Sequence, residues 1–289
     1  MVTIRRFVTS LSTSSASIML AFVFIGLLLG CSGDVSGPEI NVSGGAVVDA
    51  LTPRNIDFTA QKTVHTEIPV TKHSSVSIKA INGKVAVTGH HDVNTIIVTA
   101  YLTVGSDSQA DADSHLDDLS IEVTETVEVI SLQTRQPQTT DGRHYQVEYA
   151  ISVPSDIAVA ANQVNGNIDV EDIHNSVNVV GVNGDIQVDN IVGGVVADVV
   201  NGSIEASATL PTQATIDLIT NNGRIDLHIP RSTSAVVGAT VVSGTIQTTN
   251  LRFDDLVQTN QSLTGTLGGG EGIIELWADN GDIRMKGID

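Results

Sequence analysis

The chain has 289 residues, a formal net charge of −19, one cysteine, and 41% apolar but only 3% aromatic residues. That charge argues against nucleic acid as a partner, because phosphates attract Lys and Arg, and against docking to anionic lipid by charge alone. A single cysteine allows no disulfide framework and no cysteine-based zinc site, so stability must come from burial and hydrogen bonding.

Residues 1–7, MVTIRRF, are short and basic, and residues 17–30, SIMLAFVFIGLLLG, form a continuous apolar run that ends at Cys31. This order describes an export signal over 1–30. The run falls short of the roughly 20 apolar residues of a membrane-spanning helix. Leu28-Leu29-Gly30-Cys31 resembles the lipobox of bacterial lipoproteins. The resemblance implies cleavage before Cys31, acylation of its thiol and amino group, and a firm membrane anchor, since each buried methylene contributes about 0.8 kcal/mol. Ser32 rather than Asp follows the cysteine, which by resemblance to lipoproteins of Gram-negative cells permits passage to the outer membrane. The first thirty residues hold two arginines and no acids, so the remainder would carry −21.

Residues 31–65 read as a flexible tether, rich in Gly, Ser, Pro and acids without apolar periodicity. Residues 66–89 and 94–104 alternate polar and apolar side chains and predict strands. Residues 106–119, SDSQADADSHLDDL, predict a helix with a Ser or Asp start and acids in its first half. Period 2 returns over 120–134, a turn is expected at 136–143, and a further strand over 144–154 stops at Pro154.

From Val159 a repeat takes over. Aligned on Gly83, Gly166, Gly184, Gly202, Gly223, Gly244 and Gly281, the later units are spaced by 18, 18, 21, 21 and 37 residues. Asn82, Asn165, Asn183, Asn201, Asn222 and Asn280 precede the glycine in every unit but one, where Ser243 stands. Apolar residues recur seven and five before the glycine and two and four after it, for example Val177, Val179, Ile186 and Val188 around Gly184. Agreement at four columns and a corner is the mark of repeat architecture. Asn-Gly suits a corner with positive φ, and it also suits the tight turn of a hairpin meander. Two points favour a coil. The apolar residue two before the glycine (Ile81, Val164, Val182, Val200, Val242) is out of phase with the inward columns, which predicts a bend before the corner. The columns also match residue for residue, as stacking of like on like requires. The predicted fold is therefore all-β, a parallel β-solenoid of about 18–21-residue coils, with an N-terminal strand region and one helix over 66–154 and repeat coils over 155–289. The Asn column is expected to form a ladder of amides between coils. Residues 250–272 interrupt the spacing, either as a coil with a degenerate corner at Gly265 or as an extruded loop.

The stretches 145–206 and 218–230, with the opening strand pair Val76–Val87, resemble the adhesin domain family DUF4097. The resemblance spans roughly 65–289. It implies a β-solenoid in a cell-envelope setting and brings no catalytic residues.

Chemistry-bearing patterns are sparse. Asp169, Gln187, Glu205, Asp226, Gln247 and Arg284 share the outward column three after the glycine, a row that would suit cations or polysaccharide but reads first as a solvated face. Residues 111–118, DADSHLDD, lack the Gly and terminal Glu of a calcium loop. His90 and His91 point to opposite sides of an extended chain. No cofactor, metal site or catalytic residue is expected. The leading reading is a lipid-anchored, non-enzymatic solenoid that binds a glycan or protein partner through its outer face or the 250–272 insertion. The alternatives are a scaffold that self-associates through an open strand edge after MKGID, and a glycan-active enzyme using Asp226 or Glu205.

Overall fold

The computed structural model describes residues 56–289. The signal sequence, Cys31 and most of the expected tether lie outside these residues. The elements run in chain order as β1 Phe58–Pro69, β2 Ser75–Asn82, β3 Val85–His90, β4 Thr95–Ser106, α1 Gln109–Ser114, β5 Ser120–Glu125, β6 Val129–Arg135 and β7 His144–Pro154. The repeat region supplies β8 Ala158–Asn165, β9 Ile168–Glu171, β10 Val177–Asn183, β11 Ile186–Val192, β12 Val195–Asn201, β13 Ile204–Thr209, β14 Thr215–Asn222 and β15 Ile225–Pro230. It closes with β16 Ala235–Ser243, β17 Ile246–Thr249, β18 Phe253–Gln258, β19 Ser262–Leu267, β20 Gly272–Asn280 and β21 Ile283–Ile288.

The protein is a parallel β-solenoid with two sheets. Each coil gives one strand to each sheet, joined in six of the coils at the Asn-Gly corner. One sheet has the order β1-β4-β7-β3-β9-β11-β13-β15-β21-β17, and is called the first sheet here. The second runs β18-β19-β16-β20-β14-β12-β10-β8-β2-β6-β5. Strands of successive coils pair in parallel and in register, Val159 with Val177, Val177 with Val195 and Val195 with Ile216. Like residues therefore stack on like at the inter-strand spacing of about 4.8 Å. The inward columns are the apolar columns of the repeat; Val76, Ile78, Val179, Ala197, Leu218, Ile186, Ile204 and Ile225 are all fully buried. Small and β-branched side chains fill this thin core, which leaves little room for rings. Tyr145 and Tyr149 of β7 are the exceptions, near the N-terminal end; the hydroxyl of Tyr149 is the more deeply placed. That hydroxyl meets Thr134 Oγ1 at 2.8 Å inside the core, and burial pushes its pKa up to about 12.

The order of coils departs from the order of the chain at both ends. β20 lies between β14 and β16, and β21 between β15 and β17, so the last coil in sequence slots between two earlier ones. At the other end β6 and β7 form an additional coil, parallel to β2 and β3 and outside them. Its corner is the eight-residue loop 136–143 rather than Asn-Gly. An open edge after MKGID is thereby corrected: β21 is paired on both sides. The terminal coil β16–β17 is instead capped by the hairpin β18–β19, whose inner strand pairs antiparallel with β16. Leu251 and Phe253 pack on the core there, and Gln258 Nε2 donates to the Ile246 carbonyl on the edge of β17 (3.0 Å). The outer strand β18 carries a bulge at Asp254–Val257, with Asp255 at φ 51°. Bulges and charges of this kind blunt an edge against further pairing.

Other expectations are corrected in detail. β1 begins at Phe58, inside the expected tether, because Ala60 and Ile68 face the core while the strand pairs along its whole length with β4. The helix is shorter than 106–119: α1 covers Gln109–Ser114 with Ser108 as its cap, and a single 3₁₀ turn follows over Leu116–Asp118. Gly265 is not a corner but lies in mid-strand in β19, opposite Val237. The bend inferred before the corner is absent. The residue three before the glycine continues the inward phase, as with Val199, Thr220 and Ala278, while the residue two before it faces outward, as with Val164 and Val242.

Candidate binding face

The Asn-Gly corner is structural in every contact it makes. Nδ2 of Asn165, Asn183, Asn201, Asn222 and Asn280 donates to Oδ1 of the Asn in the adjoining coil, at 2.8–3.0 Å. The ladder starts at Asn82, which donates to the Tyr145 carbonyl (2.9 Å), and stops at the terminal coil, where Ser243 pairs with Asn280 in register. Glycine is needed beside it because the coils are in contact there: a Cβ at Gly166, Gly184, Gly202, Gly223 or Gly281 would fall on the carbonyl of the glycine in the adjoining coil, and one at Gly244 on that of Gly281. At Gly83, φ 113°, it would fall on the Val147 carbonyl. The inward residues Gln163 and Thr220 reach the same carbonyl stack, Thr220 Oγ1 donating to Gly202 O at 2.8 Å.

Four outward acids of the first sheet are similarly engaged. Asp169 pairs with Lys84, whose pKa is raised by that hydrogen bond and charge. Asp226 accepts from Arg224 Nε at 2.6 Å and lies 3.9 Å from Arg284. Asp185, one after the glycine, accepts from the Ser203 backbone N–H (2.8 Å) in a second inter-coil ladder. Asp282 takes the same part toward Thr245, whose hydroxyl and N–H hold its carboxyl below the ordinary range. Glu205, Gln187, Gln247 and Arg284 share the row on the first sheet's outer surface. In the 111–118 segment, Asp111 is gripped by both Nε and Nη2 of Arg143 (2.7 and 2.8 Å), which holds its carboxyl far below the usual range. His91 is set edge-on to His174 and bonded to Ser155 Oγ (3.0 Å). Among the described residues no group of three or more His, Cys, Asp or Glu could hold a metal ion.

The second sheet's outer surface differs. Its rows are read directly from the register. One runs Val180, Asp198, Ile219, Trp277, Thr240 and the next Asn178, Val196, Asp217, Glu275, Gly238. Trp277 is the only tryptophan of the chain and is 44% exposed. Its indole N–H donates to Asp279 Oδ1 at 2.7 Å, which fixes the ring on the surface. Glu275 and Asp279 flank it along β20, and Asp217 sits across the register from Glu275. Val180, Val196, Ile273 and Val236 are exposed apolar residues of the same surface. Beside them Val236, Gly238, Ile273, Glu275, Asp255 and Thr264 line a shallow depression under the capping hairpin. Burial pushes the Asp198 carboxyl up, and Asp217 is raised by burial first and then by the charges of Glu275 and Asp198. On this sheet's outer surface the cations are Lys79 on β2 and Arg135 on β6, both in the N-terminal coils, and Arg135 is paired with Glu122. The first sheet's outward rows hold Lys84, Arg224, Arg284 and Lys286.

None of Trp277, Asp217, Glu275 or Asp198 is singled out by motif. The signal was present in the repeat alignment, in the rows four and six before the glycine, once these are known to face outward together.

The family model for Toastrack DUF4097 matches residues 41–286. The chain belongs to that family. The match begins before β1, within the expected tether. No curated protein matches this member of the Toastrack family. Solved structures similar to it include a Clostridium sporogenes protein described as a "putative cell adhesion protein", 14% identical, covering 79% of this chain and all of that one with a TM-score of 0.46. Another is a Bacteroides fragilis protein described as a "putative adhesin", 15% identical, covering 78% and 97% of the two chains with a TM-score of 0.34.

Proposed function

We propose that this Toastrack protein is a non-enzymatic binding module of the bacterial cell envelope, carried as a lipoprotein on acylated Cys31 and sorted to the outer membrane, as Ser32 permits. Its working surface is the outer face of the second sheet around Trp277. One observation carries the reading: the single tryptophan of the chain lies on a flat open surface, is held in place by Asp279, and is surrounded by carboxylates that no neighbouring cation offsets. An exposed aromatic ring with a polar margin is the pattern of a recognition surface. Asp169, Asp185, Asp226 and Asp282 of the first sheet, by contrast, are tied up in ion pairs and ladders, which supports a binding rather than a catalytic protein.

The reading is tested in cells that produce the full chain. Cys31→Ser should move the protein from the membrane to the soluble fraction. Cells with the wild-type chain should adhere to a protein- or glycan-coated surface on which cells with equal amounts of Trp277→Ala do not. Equal adherence by the two would remove Trp277 from the site, and membrane retention of Cys31→Ser would remove the anchor.

A further inference from the structure

The unbalanced charge of the second sheet's outer face says what kind of partner fits it. The apolar residues Val180, Val196, Ile219, Ile273 and Trp277 alternate with Asp198, Asp217, Glu275 and Asp279 on one continuous surface. An occupant that covers it must be apolar enough to bury the first set and basic enough to answer the second. We propose that this face binds a basic, apolar segment of polypeptide, with a Lys or Arg side chain seated over the Trp277 indole between Glu275 and Asp217.

A cation over an indole face is held by the ring's quadrupole, and more strongly when water is displaced. Flanking carboxylates add charge-assisted hydrogen bonds. Asp217 and Asp198 are raised in pKa in the free protein, so an arriving cation relieves an existing cost besides adding a contact. The indole needs no ordering step, because Asp279 already holds it. Other occupants fit less well. A second copy of this chain would bring the same acids against themselves at a net charge of −19. An anionic lipid surface is repelled for the same reason. A neutral oligosaccharide would stack on one ring and leave Val180, Val196 and Ile273 bare.

This inference rests on the reading of the Trp277 face as the binding surface, and the test separates the two. The full-length protein in nonionic detergent is titrated with the acetylated peptide amide (Lys-Leu)4, and Trp277, the sole tryptophan, reports by fluorescence. Parallel titrations use (Glu-Leu)4 and chitohexaose. The expected result is a saturating spectral change with (Lys-Leu)4 only. Asp217→Asn combined with Glu275→Gln should weaken it about tenfold or more, and added salt should weaken it further. Asp226→Asn, on the other sheet, should leave it unchanged, and melting curves establish that each variant is folded. Equal weakening by Asp226→Asn would show diffuse attraction to an acidic protein and overturn the proposal. A response to chitohexaose but not to (Lys-Leu)4 would overturn the partner class while leaving the face as a binding surface. No response to any probe would overturn both.

Discussion

Asn280 donates its side-chain amide to Asn222, 58 positions earlier in the chain, across 3.0 Å. Ser243, which is much closer in sequence, occupies the next rung on the other side of Asn280. The corner ladder therefore records the spatial order of the coils, which the chain order does not. Among the seven glycine-cornered units, the one without an Asn is the unit at the end of the stack.

The ladder should be measurable rung by rung. Each amide bond here is at the surface, where a net hydrogen bond contributes about 0.5–1.5 kcal/mol. Asn201→Ala breaks one bond on each side, to Asn183 and from Asn222. Asn280→Ala breaks one rung, to Asn222, and a longer 3.4 Å bond to the Asn221 carbonyl. Denaturant unfolding should show Asn201→Ala, which breaks two full rungs, costing more than Asn280→Ala, at about 1–2 kcal/mol. Ser243→Asn should extend the ladder and stabilise by about 0.5 kcal/mol. A destabilised Ser243→Asn would mean that the terminal coil lacks the geometry of the others.

Glycine carries a different load at two positions of the same coil stack. A Cβ at Gly202 would fall on the Gly184 carbonyl, a backbone atom that cannot move without separating two coils. Gly202→Ala should cost about 2–4 kcal/mol. Gly238, on the candidate face, has nothing within 4 Å of the added methyl. There the loss of unfolded-state freedom dominates, and Gly238→Ala should be neutral or stabilise by up to about 1 kcal/mol. Thermal melts of the two variants side by side test the contrast.

Much of this was legible before any coordinates. The buried columns through Val177, Val179, Ile186 and Val188 follow from period 2 and a fixed corner, and the stacking of like on like follows from their agreement. Three things were not legible. The coil β6–β7 has no Asn-Gly, so an alignment on glycine passes over it. The second corner of each coil is turned by residues such as Asp172, Asn190 and Asn250, at φ 59°, 51° and 59°; these left-handed positions vary in type and lack a fixed neighbour. The outward phase of Val164 and Val200 is hidden because an exposed Val in a sheet surface looks like an inward one. The same ambiguity hides the Trp277 face, whose rows can be assembled only when the outward phase is known.

Stability should respond to acid in two opposed ways. Asp217 has a folded-state pKa above its ordinary 3.8, so the folded state holds that proton more tightly. Its contribution is fully present below the unfolded value and is lost as pH rises through the folded one. Asp217→Asn should therefore raise the melting temperature at pH 7, with the gain shrinking on acidification through the same window. Asp282 is depressed below 3.8 by Thr245. Its contribution is present above the unfolded value and is lost as pH falls through the folded one, so Asp282→Asn should lower the melting temperature at pH 7 and matter less in strong acid. Melting curves from pH 7 down to about pH 3 distinguish the two, and parallel behaviour of both variants would contradict the assigned directions.

The interposed last coil makes a sharper prediction about folding. In a solenoid stacked in chain order, removing the final repeat shortens the stack and leaves the rest paired, because each repeat contacts only its neighbours. Here β20 and β21 are the only strands between β14–β15 and β16–β17. Deleting residues 272–289 should leave β16, β17 and the β18–β19 hairpin without a parallel partner, so that residues 235–267 lose protection together with the coil that was removed. Hydrogen exchange should show amides of β16 becoming as labile as a loop while those of β12 stay protected. β16 could regain protection only by pairing directly with β14. Val237 and Ile216 carry the same inward phase, and both pair with Ile274 in the intact protein. Retained protection of β16 in the truncated chain would therefore mean that the stack closes over the gap, and that the last coil is an insertion the other coils can fold without.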